Sequence, residues 1–365
     1  MTNEELLSKT ISYLRFPLIV GVVFVHNKME VIDIQGIKVH YDAWPWLTYT
    51  MEFFSSILPA ICVPLFFFFS GFLFFYNTIF DKEVYTKKLK RRCRTLLIPY
   101  LIWNYFGFII LLVQMHPRFE SLFPLLKDYR IDCSEFLSYF WMKELPMDPP
   151  GERAMPINYP LWFIRDLMLL ILASPIIYWL IKKLKIIFIV VMGITWFWGI
   201  AKYIGLPGLS HQSIFFFPLG AYFSINHINF VELFKKAKWT PFIYIIFAIA
   251  DFVITNQPYN DWFHKIGIIM GMIMVIYIAS ELISNQKAQT SKFLSDASFF
   301  VFAFHGLILT KYTKVIIMLF HPQSPYIILF IYFFVPITTI LVSLALYKLL
   351  NMWLPSIAKI VTGGR

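Results

Sequence analysis

Two polar residues interrupt the first apolar segment of the chain, Arg15 and His26. They are eleven positions apart, which in an α-helix is three turns plus about 20°, so both side chains face the same way, about 16 Å apart along the axis. An imidazole can act as a general base or a nucleophile near neutral pH, and a guanidinium can bind phosphate. The simpler alternative is that Arg15 extends to the inner membrane interface and His26 caps the outer end of the helix.

A basic segment, KKLKRRCRTLLIPY, supplies the next candidates. Arg91 and Arg94 are three positions apart on one helical face, an arrangement suited to the several phosphates of a nucleotide-bearing donor. The same cations also fit a role in membrane topology and in binding anionic lipids. In the segment before it, Ser70 and Gly71 let another backbone approach closely, which small-residue helix packing explains by itself.

Further polar residues lie inside apolar segments, where burying one unpaired charge costs several kcal/mol. Arg165 and Asp166 are adjacent and need partners, which a structural ion pair or an acceptor site would supply. His305 lies near the middle of its segment, either as a packing residue or as support for His26. Glu52 and Asp251 are placed to pair with Arg165 or to orient a histidine.

The composition predicts the elements that position these residues. Hydrophobic residues make up 59% of the chain and charged residues 15%, against about 25% charged in soluble proteins. We therefore predict an all-α polytopic membrane protein in which residues 1–365 form a single bundle of ten spanning helices. The predicted segments are roughly 8–27, 50–76, 95–114, 160–181, 185–204, 212–225, 240–256, 262–284, 297–320 and 326–350.

The distribution of basic residues predicts the topology. Lys and Arg concentrate in alternate connections, most densely over 82–94, so the positive-inside rule places both termini in the cytoplasm. Residues 115–157 then form an outer loop, and 354–365 a short cytoplasmic tail. The net charge of +11 follows from this bias, and no nucleic-acid-binding motif accompanies it. Three cysteines without metal-ligand spacing predict neither a disulfide nor a metal site.

Five short motifs resemble those of the integral-membrane acyltransferase family three. That family has an Arg and a His separated by ten residues in its first helix, matched here by Arg15 and His26. Its Ser-Gly-Phe element matches Ser70 to Phe72, and its Arg-x-x-Arg matches Arg91 and Arg94. A Leu-Trp-Phe-x-Arg-Asp helix start matches Leu161 to Asp166, and a Phe-rich helix with a central His matches Phe299 to His305. The motifs extend over nearly the whole chain in the family's order.

The resemblance implies an activity and its substrates. Such proteins move an acyl group, usually acetyl from acetyl-CoA as co-substrate, to a hydroxyl of a cell-surface carbohydrate, in the bacterial inner membrane. It implies that Arg15, Arg91, Arg94, Ser70 and Gly71 bind the acyl-CoA and that His26 is catalytic. Arg165, Asp166, Glu52 and His305 would then serve the acceptor or support His26. No bound cofactor is expected, and a separate extracytoplasmic protein is a candidate partner.

A transporter of a lipid-linked saccharide or polar metabolite is the main alternative. Ten helices and charges within the membrane suit a carrier as well, although carriers often contain paired repeats and broken helices in corresponding positions, and neither is clear in this sequence. A non-catalytic scaffold fits poorly with so many costly intramembrane charges.

Overall fold

A computed structural model describes residues 1–364 apart from 28, 30–32, 35–36, 39–43, 147–153, 201–207, 256 and 258. The regular structure of these residues is helical, except for a two-residue antiparallel pair, β1 (Asp33–Ile34) and β2 (Ile37–Lys38). The all-α class is confirmed for this part of the chain. Among the residues that contributed to the topology prediction, Lys28, Arg153, Lys202 and Arg365 lie outside it.

The α-helices of the described residues include most of the apolar segments of the sequence. In chain order they are α1 (Asn3–Val25), α2 (Pro45–Glu52), α3 (Cys62–Phe75), α4 (Lys82–Arg92), α5 (Ile98–Gln114), α6 (Phe136–Tyr139), α7 (Trp162–Leu172), α8 (Ser174–Leu184), α9 (Ile186–Phe197), α10 (His211–Ile225), α11 (Phe230–Lys235), α12 (Thr240–Val253), α13 (Asn260–Ser284), α14 (Lys292–Phe320), α15 (Pro325–Trp353) and α16 (Pro355–Thr362).

Six helical stretches in the described residues are long and apolar enough to cross a membrane: Asn3–Val25, Pro45–Phe75, Lys82–Gln114, Asn260–Ser284, Lys292–Phe320 and Pro325–Trp353. The number of candidate spans rises to seven if the bent pair Tyr159–Leu172 and Ser174–Leu184 counts as one span. Each of the ten predicted segments overlaps a helix, and the chain is a multi-pass membrane protein. Ten spans and cytoplasmic termini stay predictions.

The fourth predicted segment, 160–181, is not one straight helix. It bends by 62° between α7 and α8. Pro175 stands in the first turn of α8, and a proline cannot donate to the carbonyl four residues earlier and clashes with it. That carbonyl belongs to Ile171, and the hydroxyl of Ser174 donates to it over 2.7 Å. The Ile171 oxygen therefore keeps a hydrogen-bond donor at the break.

The basic run before the third predicted segment is helical. α4 continues through a wider π-type turn, Cys93–Leu97, into α5, so the helix starts at Lys82 and not near 95. Lys and Arg favour helices almost as strongly as Leu does, whereas the prediction took the charges as a connection. Arg91 is near the end of α4 and Arg94 lies in the π turn.

The chain divides into two compact units. The first comprises Met1–Val22, Ser56–Arg92 and Asp166–Asp296; the second comprises Val23–Ser55, Cys93–Arg165 and Ala297–Arg365. The prediction of a single membrane domain over 1–365 stays a prediction.

In the first unit, α3 and α10 cross at two glycines. A Cβ added to Gly71 would lie 2.0 Å from the carbonyl oxygen of Phe217, and one added to Gly220 would lie 2.0 Å from that of Phe68. Each glycine therefore admits the backbone of the opposite helix, as at small-residue crossings of membrane helices.

In the second unit, part of the predicted outer loop is packed. Leu126 and Tyr139 form a buried cluster with Leu111 of α5. The predicted tail is also structured, because α16 covers most of it and the indole of Trp103 on α5 donates to the carbonyl of Val361 over 2.8 Å.

Candidate active site

His26 directly follows the last residue of α1, in the second unit. Its neighbour Asn27 is buried and donates its side-chain amide to the carbonyl oxygen of Tyr332 on α15 over 2.8 Å. The phenol of Tyr332 in turn bonds the hydroxyl of Ser55 at 2.6 Å and donates to the carbonyl of Met51 at 3.1 Å. The bond from Asn27 holds the residue after His26 to α15, and the two bonds of the Tyr332 phenol hold the segment of Met51 and Ser55 to the same helix.

Two aromatic rings contact the half-buried imidazole of His26. The ring of His305 stacks on it with centroids 5.5 Å apart and planes inclined by 26°. The ring of Tyr159 meets it edge to face, with centroids 4.8 Å apart. The structure therefore brings together the two histidines that sequence reasoning selected from distant segments.

His305 lies within α14 and is fully buried. Its Nδ1 is 3.2 Å from the carbonyl oxygen of Val301, one helical turn earlier. Its Nε2 is buried and has no hydrogen-bond partner among the residues that the structure describes. This side chain thus has one nitrogen engaged by its own helix and a second that receives no hydrogen bond from the described residues.

Tyr159 is positioned by the residues on either side of it. Asn158 is fully buried, donates its side-chain amide to the carbonyl of Ala303 on α14 over 3.0 Å, and donates its backbone N–H to Oδ1 of Asn104 on α5 over 3.1 Å. At Gly306, an added Cβ would lie 2.3 Å from Oδ1 of Asn158 and 2.5 Å from Cδ of Pro160. The close packing at Gly306 therefore sets this segment against α14.

Sequence reasoning missed Tyr159 and Asn158. The available signal was the polar pair Asn-Tyr in front of a proline, at the start of an apolar helix. A buried asparagine there needs hydrogen-bond partners, but the sequence does not tell which helix supplies them.

Arg165 and Asp166 are both fully buried, and each has a partner within its own unit. In the second unit, Arg165 donates from Nη1 to the carbonyl of Trp141 over 3.0 Å, and its guanidinium carbon is 6.0 Å from the centroid of the Trp141 ring. In the first unit, Asp166 accepts from the backbone N–H of Ser210, at the start of α10, over 2.6 Å. Each residue thus has a local structural role, whatever its role toward an acceptor.

Arg15 lies in the first unit and is half-buried. Its Nη1 is 3.5 Å from the hydroxyl of Ser295, and it interacts electrostatically with Asp296. A guanidinium beside a single carboxylate retains donors for an anionic ligand. The expectation that the side chains of Arg15 and His26 face the same way stays a prediction.

The remaining candidates occupy varied surroundings. Arg91 and Arg94 are exposed, Ser70 is half-buried on α3, and Gly71 is at the α3–α10 crossing. Glu52 is the last residue of α2 and is half-buried. The roles in donor or acceptor binding that the sequence assigned to them stay predictions.

A second histidine–carboxylate pair lies in the first unit. The buried Asp251 of α12 contacts Nδ1 of His264 on α13 at 2.7 Å. The sequence predicted that Asp251 pairs with Arg165 or orients a histidine, and the structure supports the second alternative. His264 itself was not singled out.

Comparison with known protein families gives the activity. Residues 9–348 match the sequence model of the acyltransferase-3 family, which describes an acyltransferase domain. The chain belongs to the acyltransferase-3 family. This membership confirms the resemblance carried by the five motifs, and it makes the protein a membrane acyltransferase.

Among curated members related to this acyltransferase is the succinoglycan biosynthesis protein ExoH of Rhizobium meliloti (strain 1021). It is 26% identical over 370 residues, which cover 98% of this chain and 92% of ExoH. No solved structure matches the chain.

Proposed function

We propose that this acyltransferase moves an acetyl group from cytoplasmic acetyl-CoA to a hydroxyl of a cell-surface or exported carbohydrate, in the inner membrane of a bacterium. The observation that carries the proposal is the stacked pair His26 and His305 in a chain of the acyltransferase-3 family. An imidazole exchanges protons near neutral pH and is itself a nucleophile, which acyl transfer to a hydroxyl requires.

The carbohydrate acceptor is inferred from the relative. ExoH is named for the biosynthesis of succinoglycan, and its alignment with this chain extends over nearly the full length of both. A hydroxyl-rich polymer is a chemically suitable acceptor for a histidine-assisted transfer. That name specifies no acyl group or donor, so acetyl and acetyl-CoA rest on the motif resemblance.

We assign the donor to the arginines. Acetyl-CoA carries several phosphates, and guanidinium groups bind phosphate through paired charge-assisted hydrogen bonds. Arg91 and Arg94 are exposed, and Arg15 is half-buried beside Asp296. The CoA phosphates bind to these residues, while His26 acts as general base on the acceptor hydroxyl or briefly carries the acyl group. For Gly71, the contact with Phe217 already provides a packing role.

The test is acetyl transfer by purified protein in lipid nanodiscs. Radiolabelled acetyl-CoA is supplied with surface polysaccharide from the host strain, from which esters have been removed by mild alkali. Wild-type protein should label the polysaccharide, and His26→Ala should not. His227→Asn is the matched control, because His227 is exposed and its positive φ of 55° is tolerated by asparagine.

The outcomes separate the alternatives. Full transfer by a His26→Ala variant that folds and inserts normally would exclude the proposed mechanism. Saturable transport of a saccharide without any acetyl transfer by the wild type would favour a carrier.

A further inference from the structure

The hydrogen bond between His305 and its own helix sets the positions of the imidazole protons. A carbonyl oxygen only accepts, so Nδ1, which is 3.2 Å from the oxygen of Val301, must carry a proton for this bond to form. In the neutral ring the other nitrogen, Nε2, then bears the lone pair. The helix therefore presents His305 as a proton acceptor at Nε2.

The hydrogen bonding of Nε2 differs from that of Nδ1. This atom is buried and has no hydrogen-bond partner among the described residues, in a side chain with 0% exposure. A buried polar atom without a partner is unfavourable, and a donating group of a ligand would offset that cost. A hydroxyl is such a donor. The ring of His305 is stacked on His26, so a hydroxyl at Nε2 would be in the same site as the candidate catalytic histidine.

We propose that His305 is a catalytic residue that accepts the proton of the acceptor hydroxyl at Nε2. The inference rests on the proposed function and assigns to His305 one of the two roles considered for His26. In the step, the hydroxyl O–H bond breaks as its proton moves to Nε2, and the oxygen bonds to the acyl carbon. The bond that breaks runs from that carbon to the sulfur of CoA, or to His26 if His26 has first taken the acyl group from that sulfur and released the CoA thiolate. The His305 imidazolium then returns its proton to the thiolate, so protons and electrons balance.

This assignment makes the two imidazoles unequal. His305 acts on the acceptor hydroxyl, because the bond from Nδ1 to Val301 leaves the lone pair on Nε2. His26 is contacted by the rings of Tyr159 and His305, and we assign it to the acyl group of the donor. The competing explanation is that His305 only packs α14 and that its bond to Val301 is the whole of its contribution.

Two substitutions separate a base from a packing residue. In His305→Asn, the side-chain amide nitrogen takes the place of Nδ1 and still donates to Val301, but no atom replaces Nε2. In His305→Gln, a polar group reaches the position of Nε2 but is not basic. We expect both variants to insert and to melt near the wild type, and both to lose carbohydrate acetylation, with kcat falling about 100-fold or more.

The experiment compares two acetyl acceptors in nanodiscs with radiolabelled acetyl-CoA. De-esterified polysaccharide needs a base to remove its hydroxyl proton, whereas hydroxylamine is a strong neutral nucleophile that needs little such help. His305→Asn should fail with polysaccharide while acetyl transfer to hydroxylamine changes little. Retained polysaccharide acetylation, or equal losses with both acceptors, would overturn the inference and leave the proposed function standing. A wild-type protein that acetylates neither acceptor would contradict the proposed function and this inference together.

Discussion

The imidazole of His26 stacks on that of His305, with ring centroids 5.5 Å apart and planes inclined by 26°. His26 directly follows the first helix of the chain, and His305 lies within α14. Both belong to the second unit, in which Tyr159 closes a further side of His26. A reacting carbonyl beside this stack would have two imidazoles within reach, and either could exchange a proton with the substrates.

Replacing Tyr159 should separate packing from chemistry at His26. Tyr159→Ala removes the ring that lies 4.8 Å from the His26 centroid, so the imidazole gains rotational freedom. We expect kcat for polysaccharide acetylation to fall about 10-fold or more, since small misplacements of a catalytic group are costly. Tyr159→Phe keeps the ring and should retain most of the activity. Equal loss in both variants would mean that the phenol itself takes part in the reaction.

Substitution of Gly71 should lower stability. The added methyl of Gly71→Ala would lie 2.0 Å from the carbonyl oxygen of Phe217, so α3 and α10 must separate. Overpacking of this kind costs about 1–3 kcal/mol, visible as a lower melting temperature in detergent.

Gly267→Ala is the matched control for this stability prediction. A Cβ at Gly267 meets its nearest neighbour at 3.8 Å, an ordinary contact, and alanine gains up to about 1 kcal/mol over glycine in a helix. This control should melt no lower than the wild type. If Gly71→Ala instead melts normally but raises the KM for acetyl-CoA, Gly71 binds the donor.

The double variant Arg91→Gln, Arg94→Gln should raise the KM for acetyl-CoA and leave kcat nearly unchanged. Both side chains are exposed, and a guanidinium–phosphate bond lost equally from ground and transition states weakens binding only. The effect should shrink at high ionic strength, where exposed charges are screened.

Arg118→Gln is the control for the arginine experiment, because it removes one exposed positive charge from the predicted outer loop. An unchanged KM in the double variant would restrict Arg91 and Arg94 to topology and lipid binding.

Replacing Arg165 should loosen the segment between α5 and α7 that contains Trp141. Arg165→Met removes the donor to the carbonyl of Trp141 and the cation near its ring, while it keeps a long apolar stem. Limited proteolysis should then cleave between 117 and 146 faster than in the wild type. Lys143→Arg is the control in the same segment. It keeps the positive charge that pairs with Glu135, so the cleavage rate should not change. Unaltered proteolysis of Arg165→Met would show that other contacts hold this segment.

Much of the helical architecture could be predicted from local pattern. Each predicted apolar segment overlaps a helix, because about 20 apolar residues in sequence signal a span regardless of the rest of the chain. The prediction was less accurate where local chemistry changes the helix: Pro175 bends the fourth segment, and the basic residues from Lys82 onward extend the third one. The number of spans stays a prediction.

The candidate site was predictable by residue type but not by arrangement. His26 and His305 were selected because ionisable groups within a membrane are costly and tend to be functional. Nothing in the sequence indicated that their rings stack, that Tyr159 contacts His26, or that Asn158 and Gly306 set this contact. For Asp251, orienting a histidine was one of two alternatives, and nothing in the sequence indicated that this histidine is His264.

The sequence by itself determined the family, the helical class and which polar residues interrupt the apolar segments, where a membrane makes them costly. Only the tertiary structure decided which of these residues meet and which nitrogen of His305 faces its own helix. The physical reason is that nearly every face of these helices is apolar, so the hydrophobic pattern does not specify how one helix is rotated against another. Close contacts between distant residues, such as those at Gly71 and Gly306, settle that rotation, and they exist only once the helices are packed.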